Sequence, residues 1–400
     1  MVNFDLDPEQ TLLRDYARAY LEEVCPPAHV RAMETDDTGF SRPQYADLGE
    51  RGWLGVLAAS AAGGAGKGPV EWSVLAAEAG RALLPGPWAS TAVLGTLLAG
   101  ALDDVGAGPP RLPDVVAGRL LVADALFDAG DAEPAQVRMR AVPAEGGWLL
   151  RGEKRFVQYG SGADALAVLA RSENGSDGAA PALSLHLVPA DAPGLRATRL
   201  LSTGGEPLAQ VVFDDVLVTA ADSLAPGPAV EPLLRRMTDL SRLGATAGLV
   251  GMSRKLLDLC LGHAHARRQF GRSIGGFQVI QHQLVDLYAE VERAQVLLDQ
   301  AAWLMAAGAA YDRELAIARC AASDTSYLAG HTGGHIYGGY GFMNINDVQL
   351  YYRKSLVLGQ RYGTADGCRA EIAELGYLPP FELPDNDLRT VPELALFGSA

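Results

Sequence analysis

Hydrophobic positions fall into three successive textures along the 400 residues. From Pro8 to about Ala117 they recur at helical spacing, as in Leu12, Leu13, Tyr16, Ala17 and Tyr20. Asp7-Pro8-Glu9-Gln10 supplies an N-cap, a proline at the first helical position and an acid in the first turn. Further helices are predicted over Ser41–Arg51, Glu71–Leu84 and Thr91–Gly100, with a small-residue loop at Ala58–Gly68 and a linker at Asp103–Pro113. After Arg119 the pattern shortens to strand-like runs: Leu120–Phe127, Gln136–Pro143, Gly147–Tyr159, Ala165–Arg171, Ala182–Pro189 and Leu208–Val218. Arg138 to Val142 alternates polar and apolar, as a half-exposed antiparallel strand does. These runs predict an antiparallel β-barrel or sandwich, with an exposed hairpin loop at Ser172–Ala180.

Beyond Pro226 the helical period returns, over Leu233–Arg268, Phe277–Ala307, Tyr311–Thr332 and a fourth stretch that includes Ala365–Leu375. Four helices in succession predict a bundle. Ala245, Ala247, Gly248 and Gly251 are small enough for close helix contact, and the proline-bearing tail Gly376–Ala400 reads as irregular. The expected fold class is α+β. A helical domain (1–117) leads to a middle β domain (118–225), a C-terminal four-helix bundle (226–378) and a tail (379–400).

Charge narrows the partners. A net charge of −15 argues against nucleic acid and anionic membrane surfaces. No apolar run approaches bilayer-spanning length, and residues 1–10 lack the basic region and apolar core of a secretory leader. Cys25, Cys260, Cys320 and Cys368 are scattered without metal-ligand spacing, so neither a metal nor a disulfide framework is expected, and a reducing cytoplasm fits. In so acidic a chain, a polyanionic ligand needs a local cationic pocket. Arg267-Arg268-Gln269-Phe270-Gly271, running on to Gln278, offers one. Arginine presents a fixed fork of donors to phosphate, an aromatic can stack on a ring, and a glutamine can read a heterocycle edge. A solvated basic helix end reads equally well from these residues alone.

The order of textures, with Gly52-Trp53-Leu54-Gly55, Gly152-Glu153-Lys154, Phe213-Asp214-Asp215-Val216, Arg267–Gly271 and Gly338-Gly339-Tyr340-Gly341-Phe342, resembles the acyl-CoA dehydrogenase family over about residues 5–378. Gly80–Pro85 and Tyr362–Arg369 look most like actinobacterial subfamilies that act in steroid side-chain or dicarboxylic-acid degradation, often as mixed-subunit tetramers. The resemblance implies FAD-dependent α,β-desaturation of an acyl-CoA. A carboxylate removes the α-proton, hydride passes to the flavin, and electrons move on to an electron-transfer flavoprotein. It also implies a homo- or hetero-oligomer, a dimer of dimers. In the family, FAD lies between two subunits, one cradling the flavin in its β domain and the other gripping the adenine and diphosphate end with its bundle.

Carried over residue by residue, Arg267, Phe270, Gln278, Gly338, Gly339 and Thr364 match FAD-contacting positions, and His335 stands where the family commonly has Gln. The β-domain half departs from the pattern. The register places Leu126–Glu133 where hydroxyl-bearing residues normally touch the flavin, and Phe156 and Gln158 replace the next flavin-packing word. The base position preceding Gly363-Thr364 holds Tyr362, and the alternative position preceding Arg242 holds Ser241. Neither side chain is a competent base near neutral pH. Asp366 lies one helical turn past Tyr362 if the segment is helical, whereas Asp239 falls on the opposite side of its helix from Ser241. The expectation is an FAD-dependent acyl-CoA dehydrogenase-type subunit for a bulky acyl-CoA, within a heteromeric complex and lacking the usual Glu base, with Asp366, Tyr362 and Arg242 as catalytic candidates. The alternatives are a non-catalytic partner that completes a sister subunit's FAD site, or a flavin-independent enzyme on the same fold.

Overall fold

The computed structural model describes residues 4–128, 136–172 and 182–376. Most of the loop predicted at 172–180, the tail after Gly376 and residues 129–133 of the flavin-loop register lie outside the described residues.

The first layer is helical. Helix α1 (Pro8–Val24) opens on a reciprocal cap: Gln10 N–H donates to the Asp7 side chain at 2.8 Å, and Asp7 N–H donates to Gln10 Oε1 at 3.0 Å. Helices α2 (Pro27–Thr35), α3 (Arg42–Glu50) and α4 (Pro69–Ala82) follow. Then come α5 (Trp88–Ser90), a π-helical turn over Thr91–Gly95, α6 (Thr96–Val105) and α7 (Leu112–Val116). The predicted linker at 103–113 is thus helical at both ends. Helix α4 is buried along most of its length and crosses the first bundle helix at very short range. A Cβ on Gly80 would lie 2.3 Å from the Gly248 carbonyl oxygen, and one on Gly251 would lie 1.9 Å from that of Ala77. The small residues noted in the sequence therefore serve a contact between domains. Trp72 seals it, donating its indole N–H to the Leu240 carbonyl at 2.8 Å.

The middle domain holds β1 (Val122–Ala125), β2 (Arg140–Ala144), β3 (Gly147–Gln158), β4 (Ala165–Ser172), β5 (Ala182–Pro189), β6 (Leu195–Leu200), β7 (Leu208–Thr219) and β8 (Ser223–Leu224). Their order is β6-β7-β3-β2-β4-β5-β8, with β1 also on β4. The sheet is mixed rather than wholly antiparallel. Along one edge of β4, β1 runs parallel beside Ala165–Val168 and β2 runs parallel at Arg171–Ser172. The pairing suits β4, which is buried almost throughout, as parallel strands require. Strand β6, absent from the predicted set, is a largely exposed edge with no apolar alternation, and β8 is only two residues long.

The third domain runs through α8 (Val230–Ala266), a two-residue hairpin of β9 (Arg268–Gln269) and β10 (Arg272–Ser273), then α9 (Gln278–Ala306), α10 (Asp312–Tyr337), α11 (Asp347–Leu358) and α12 (Ala365–Glu374). Helix α10 packs against α8, α9, α11 and α12. The fourth member of the bundle is α11, and the stretch predicted in that place is a fifth, shorter helix. Among the described residues, no helix is long and apolar enough to cross a membrane.

Candidate functional site

A cavity of about 160 Å³ opens where all three domains meet. Its helical side is lined by small residues of α4 and α8, among them Ala76, Gly80, Gly244 and Gly248. Its polar side includes Asp124 from β1, Gln158 from β3, Glu206 just before β7, Ser241 from α8, Lys354 from α11, and Arg361 and Tyr362 from the α11–α12 connection.

Asp124 is the centre of that polar side. Strand β1 is buried at every position, and the Asp124 side chain retains 7% exposure. Its Oδ1 accepts from Leu126 N–H at 3.1 Å, while Oδ2 accepts from Arg361 Nη2 at 2.9 Å and Tyr362 Oη at 2.5 Å. Burial, reinforced by the Asp124 carboxylate, holds the Tyr362 phenol well above its ordinary pKa, so it stays protonated and donates.

The turn carrying Arg361 and Tyr362 is pinned from behind by Arg319 of α10, which has no exposure. Its Nη2 donates to the carbonyls of Leu358 (2.8 Å) and Arg361 (2.5 Å), and its Nε to that of Gly363 (3.0 Å). Burial lowers its pKa to about 10, still leaving it charged at neutral pH. Tyr362 has φ +55° and Gly363 φ +103°, so the chain turns sharply before Thr364 caps α12 by accepting from Gly367 N–H at 3.1 Å. Behind the cavity lining, in the β domain, Lys154 is wholly buried and donates to the Leu126 and Leu169 carbonyls (2.9 and 2.7 Å) and to Asp128 Oδ1 (2.6 Å). Burial pushes its pKa down to about 8 against the pull of Asp128.

These placements correct part of the sequence reading. Asp366 does not line the cavity. The segment between Tyr362 and Asp366 is a sharp turn, so the one-turn spacing does not apply, and Asp366 is 95% exposed and ion-paired with Arg369 at 2.6 Å. Arg242 turns toward α12, donating to Glu371 at 2.6 and 3.0 Å, with Cys368 Sγ 3.0 Å away. Asp239 accepts from Tyr311 Oη at 2.8 Å, on the α10 side. Phe156, at φ +59°, is 42% exposed under the Arg155 guanidinium, and Gln158 lines the cavity. Asp124 and Arg319 were not singled out from the sequence. Each is a lone charge inside an apolar run, and that was the available signal.

The other matched positions gather elsewhere, at one end of the bundle. The β9–β10 hairpin turns through Phe270 (φ +50°) and Gly271 (φ +80°), the all-positive turn that suits a two-residue hairpin. A bulky side chain is rare in that conformation, and Phe270 is also 92% exposed. Arg267, Arg268 and Arg272 are exposed, and none pairs with a carboxylate among the described residues. Arg272 instead lies over the Phe277 ring at 4.1 Å. Exposed Gln278 begins α9. Gln283 of α9 meets His335 Nδ1 at 2.9 Å, which brings the end of α10, with Gly338 and Gly339 exposed, to the same end of the bundle. His263 stacks on Tyr337 beneath, with centroids 4.0 Å apart.

An FAD fits these two places differently. The hairpin offers exposed guanidinium groups without a carboxylate partner among the described residues, an exposed ring and an amide, the donor set that a diphosphate and a heterocycle need. The cavity's own β wall offers a buried carboxylate, Asp124, already consumed by Arg361 and Tyr362, and the described part of the expected flavin loop ends in Asp128, consumed by Lys154.

Three family models match successive parts of the chain: acyl-CoA dehydrogenase N-terminal domain over residues 7–107, middle domain over 128–216 and C-terminal domain over 232–375. A probable acyl-CoA dehydrogenase of Bacillus subtilis, YngJ, is 28% identical over 381 residues, covering 93% of this chain and 99% of that protein. Among solved structures, the Tcur3481-Tcur3483 steroid ACAD variant is 31% identical with a TM-score of 0.79, covering 92% of this chain and 97% of that one. The ChsE4-ChsE5 complex from Mycobacterium tuberculosis is 27% identical with a TM-score of 0.81, covering 94% of this chain and 100% of that one.

Proposed function

The chain belongs to the acyl-CoA dehydrogenase family, and on that premise we propose that it is a cytoplasmic subunit of a heteromeric, FAD-dependent acyl-CoA dehydrogenase. In this reading it lends the bundle half of an FAD site to a sister subunit that carries the flavin cradle and the base. One observation carries the proposal: the outward-facing arginines have no carboxylate partner among the described residues, while the inward-facing half is altered and its Asp124 and Asp128 are already paired. Arg267 would hold the diphosphate, Phe270 would cover a ring, and Gln278 and His335 would read polar edges. Bound across that interface, FAD would supply the hydride acceptor for α,β-desaturation, and an electron-transfer flavoprotein would reoxidise it. Mixed-subunit relatives support the heteromeric arrangement. Exposed Val279, Val285, Tyr288 and Val296 on α9 give the bundle an apolar outer face suited to another subunit. A relative that acts on steroids supports a bulky acyl group.

The test is an absorbance spectrum of the chain alone and of its complex with a co-expressed sister subunit. No flavin in the first and one FAD per pair in the second supports the reading. Stoichiometric flavin with acyl-CoA turnover by the chain alone overturns it. In that event Tyr362, the only one of the three proposed catalytic residues that lines the cavity, is the first to substitute, and Asp366→Asn is expected to leave turnover unchanged.

A further inference from the structure

We propose that Asp124, Arg361 and Tyr362 form an interdomain bolt that closes this chain's own cavity to a planar ring. This rests on the reading of the chain as the subunit that lends an FAD half-site, and it explains why the lending runs in one direction.

The walls that would flank a ring are joined directly. Asp124 belongs to the β wall and Tyr362 to the bundle wall, and the phenol oxygen lies 2.5 Å from Oδ2. A ring between two walls needs about 3.5 Å to the carbon atoms on each side, or ~7 Å in all. The bolt is not one side chain caught in a convenient rotamer. Its β end is fixed by burial of the whole of β1 and by the Leu126 N–H bond. Its bundle end is fixed by Arg319, which holds three carbonyls of the turn. Arg361 supplies the charge that lets Asp124 remain in so buried a place, and its Nη1 also reaches the Phe156 carbonyl at 3.4 Å, tying β3 to the same turn. Withdrawing Tyr362 alone leaves the Asp124–Arg361 pair in place, so opening requires two partners to move together.

Lumiflavin, the bare three-ring system, separates this claim from the adenine and diphosphate grip. Titrated into the purified chain alone and followed by fluorescence quenching, it is expected to show no saturable binding up to 100-fold molar excess. Asp124→Ala removes the shared acceptor, and the double variant Arg361→Ala/Tyr362→Ala removes both partners; each is expected to gain one-site binding at least 10-fold tighter than the parent, with folding checked by a cooperative thermal transition. Saturable one-site binding by the parent chain overturns the bolt, as does a folded Arg361→Ala/Tyr362→Ala chain that binds no better than the parent. Flavin stoichiometry of the mixed complex reads the subunit proposal independently. A parent chain that binds lumiflavin, within a complex holding one FAD per pair, would refute the bolt alone. Two FAD per pair would refute the subunit reading.

Discussion

The hairpin at Arg267–Gln278 and the cavity wall at Asp124–Tyr362 are built from the same kinds of group, arginines beside an aromatic ring, in opposite states. In the cavity Arg361 is spent on Asp124, and the ring of Tyr362 ends in a hydrogen bond to the same carboxylate. On the hairpin the guanidinium groups have no carboxylate among the described residues, and Phe270 stands almost fully exposed on a strained turn. Paired groups hold a structure together, and unpaired ones are available to another molecule. A backbone conformation that costs about 1–2 kcal/mol, for a ring left 92% exposed with an edge contact to Phe277, points the same way, toward a contact outside the chain.

The largest contrast is expected in stability. Lys154→Met should cost about 3–5 kcal/mol in a urea titration, because it removes the ammonium partner of Asp128 and the donor to two buried carbonyls. Arg267→Ala should leave the isolated chain within about 0.5 kcal/mol of the parent. If the hairpin substitution destabilises the chain as much as the Lys154 substitution, the distinction between spent and available groups collapses.

In the mixed complex the ranking reverses. Arg267→Ala removes a charge-assisted bond of about 1.5–3 kcal/mol, so FAD retention should weaken by roughly 10- to 100-fold, measured by flavin release on dilution. Unchanged retention would return the motif to a solvated basic helix end.

Phe270→Asn sharpens the point at smaller scale. Asparagine tolerates positive φ, so the thermal midpoint of the isolated chain should hold or rise, while flavin retention in the complex falls by several-fold. A drop in both would mean that Phe270 packs within its own chain.

The smallest effect concerns His263 at the hairpin's base, whose pKa burial lowers, with the Arg267 charge adding to the effect. Since its folded value lies below its ordinary one, its contribution to stability is present above about pH 6.5 and is lost as pH falls through the folded value. Arg267→Ala should raise the His263 midpoint toward the ordinary value in an NMR titration and lessen the acid-side loss. An unmoved midpoint would show that burial alone sets it.

How much of this was legible in the sequence follows from where the residues lie along the chain. The three-domain order and the long helices could be read because their periods run for many residues. The exposed basic cluster on which the proposed half-site rests could be read because Arg267 to Gln278 are contiguous. The cavity draws on residues 124, 158, 241, 319, 361 and 362, which only the fold brings together. Asp124 stands as a lone charge in Val-Ala-Asp-Ala-Leu, a signal that strand periodicity alone does not weigh. Asp366 lies apart from Tyr362 because Gly363, with φ of +103°, breaks the helix on which the one-turn spacing depends. The parallel pairing of β1 and β2 with β4 depends on burial of both faces, which a short apolar run does not announce.

The most direct test of the central claim is the 450 nm absorbance of the purified chain before and after assembly with its sister subunit. The account predicts a colourless chain and a yellow complex with one FAD per pair, bleached by acyl-CoA. A chain that purifies yellow with stoichiometric FAD and is bleached by acyl-CoA alone would contradict it.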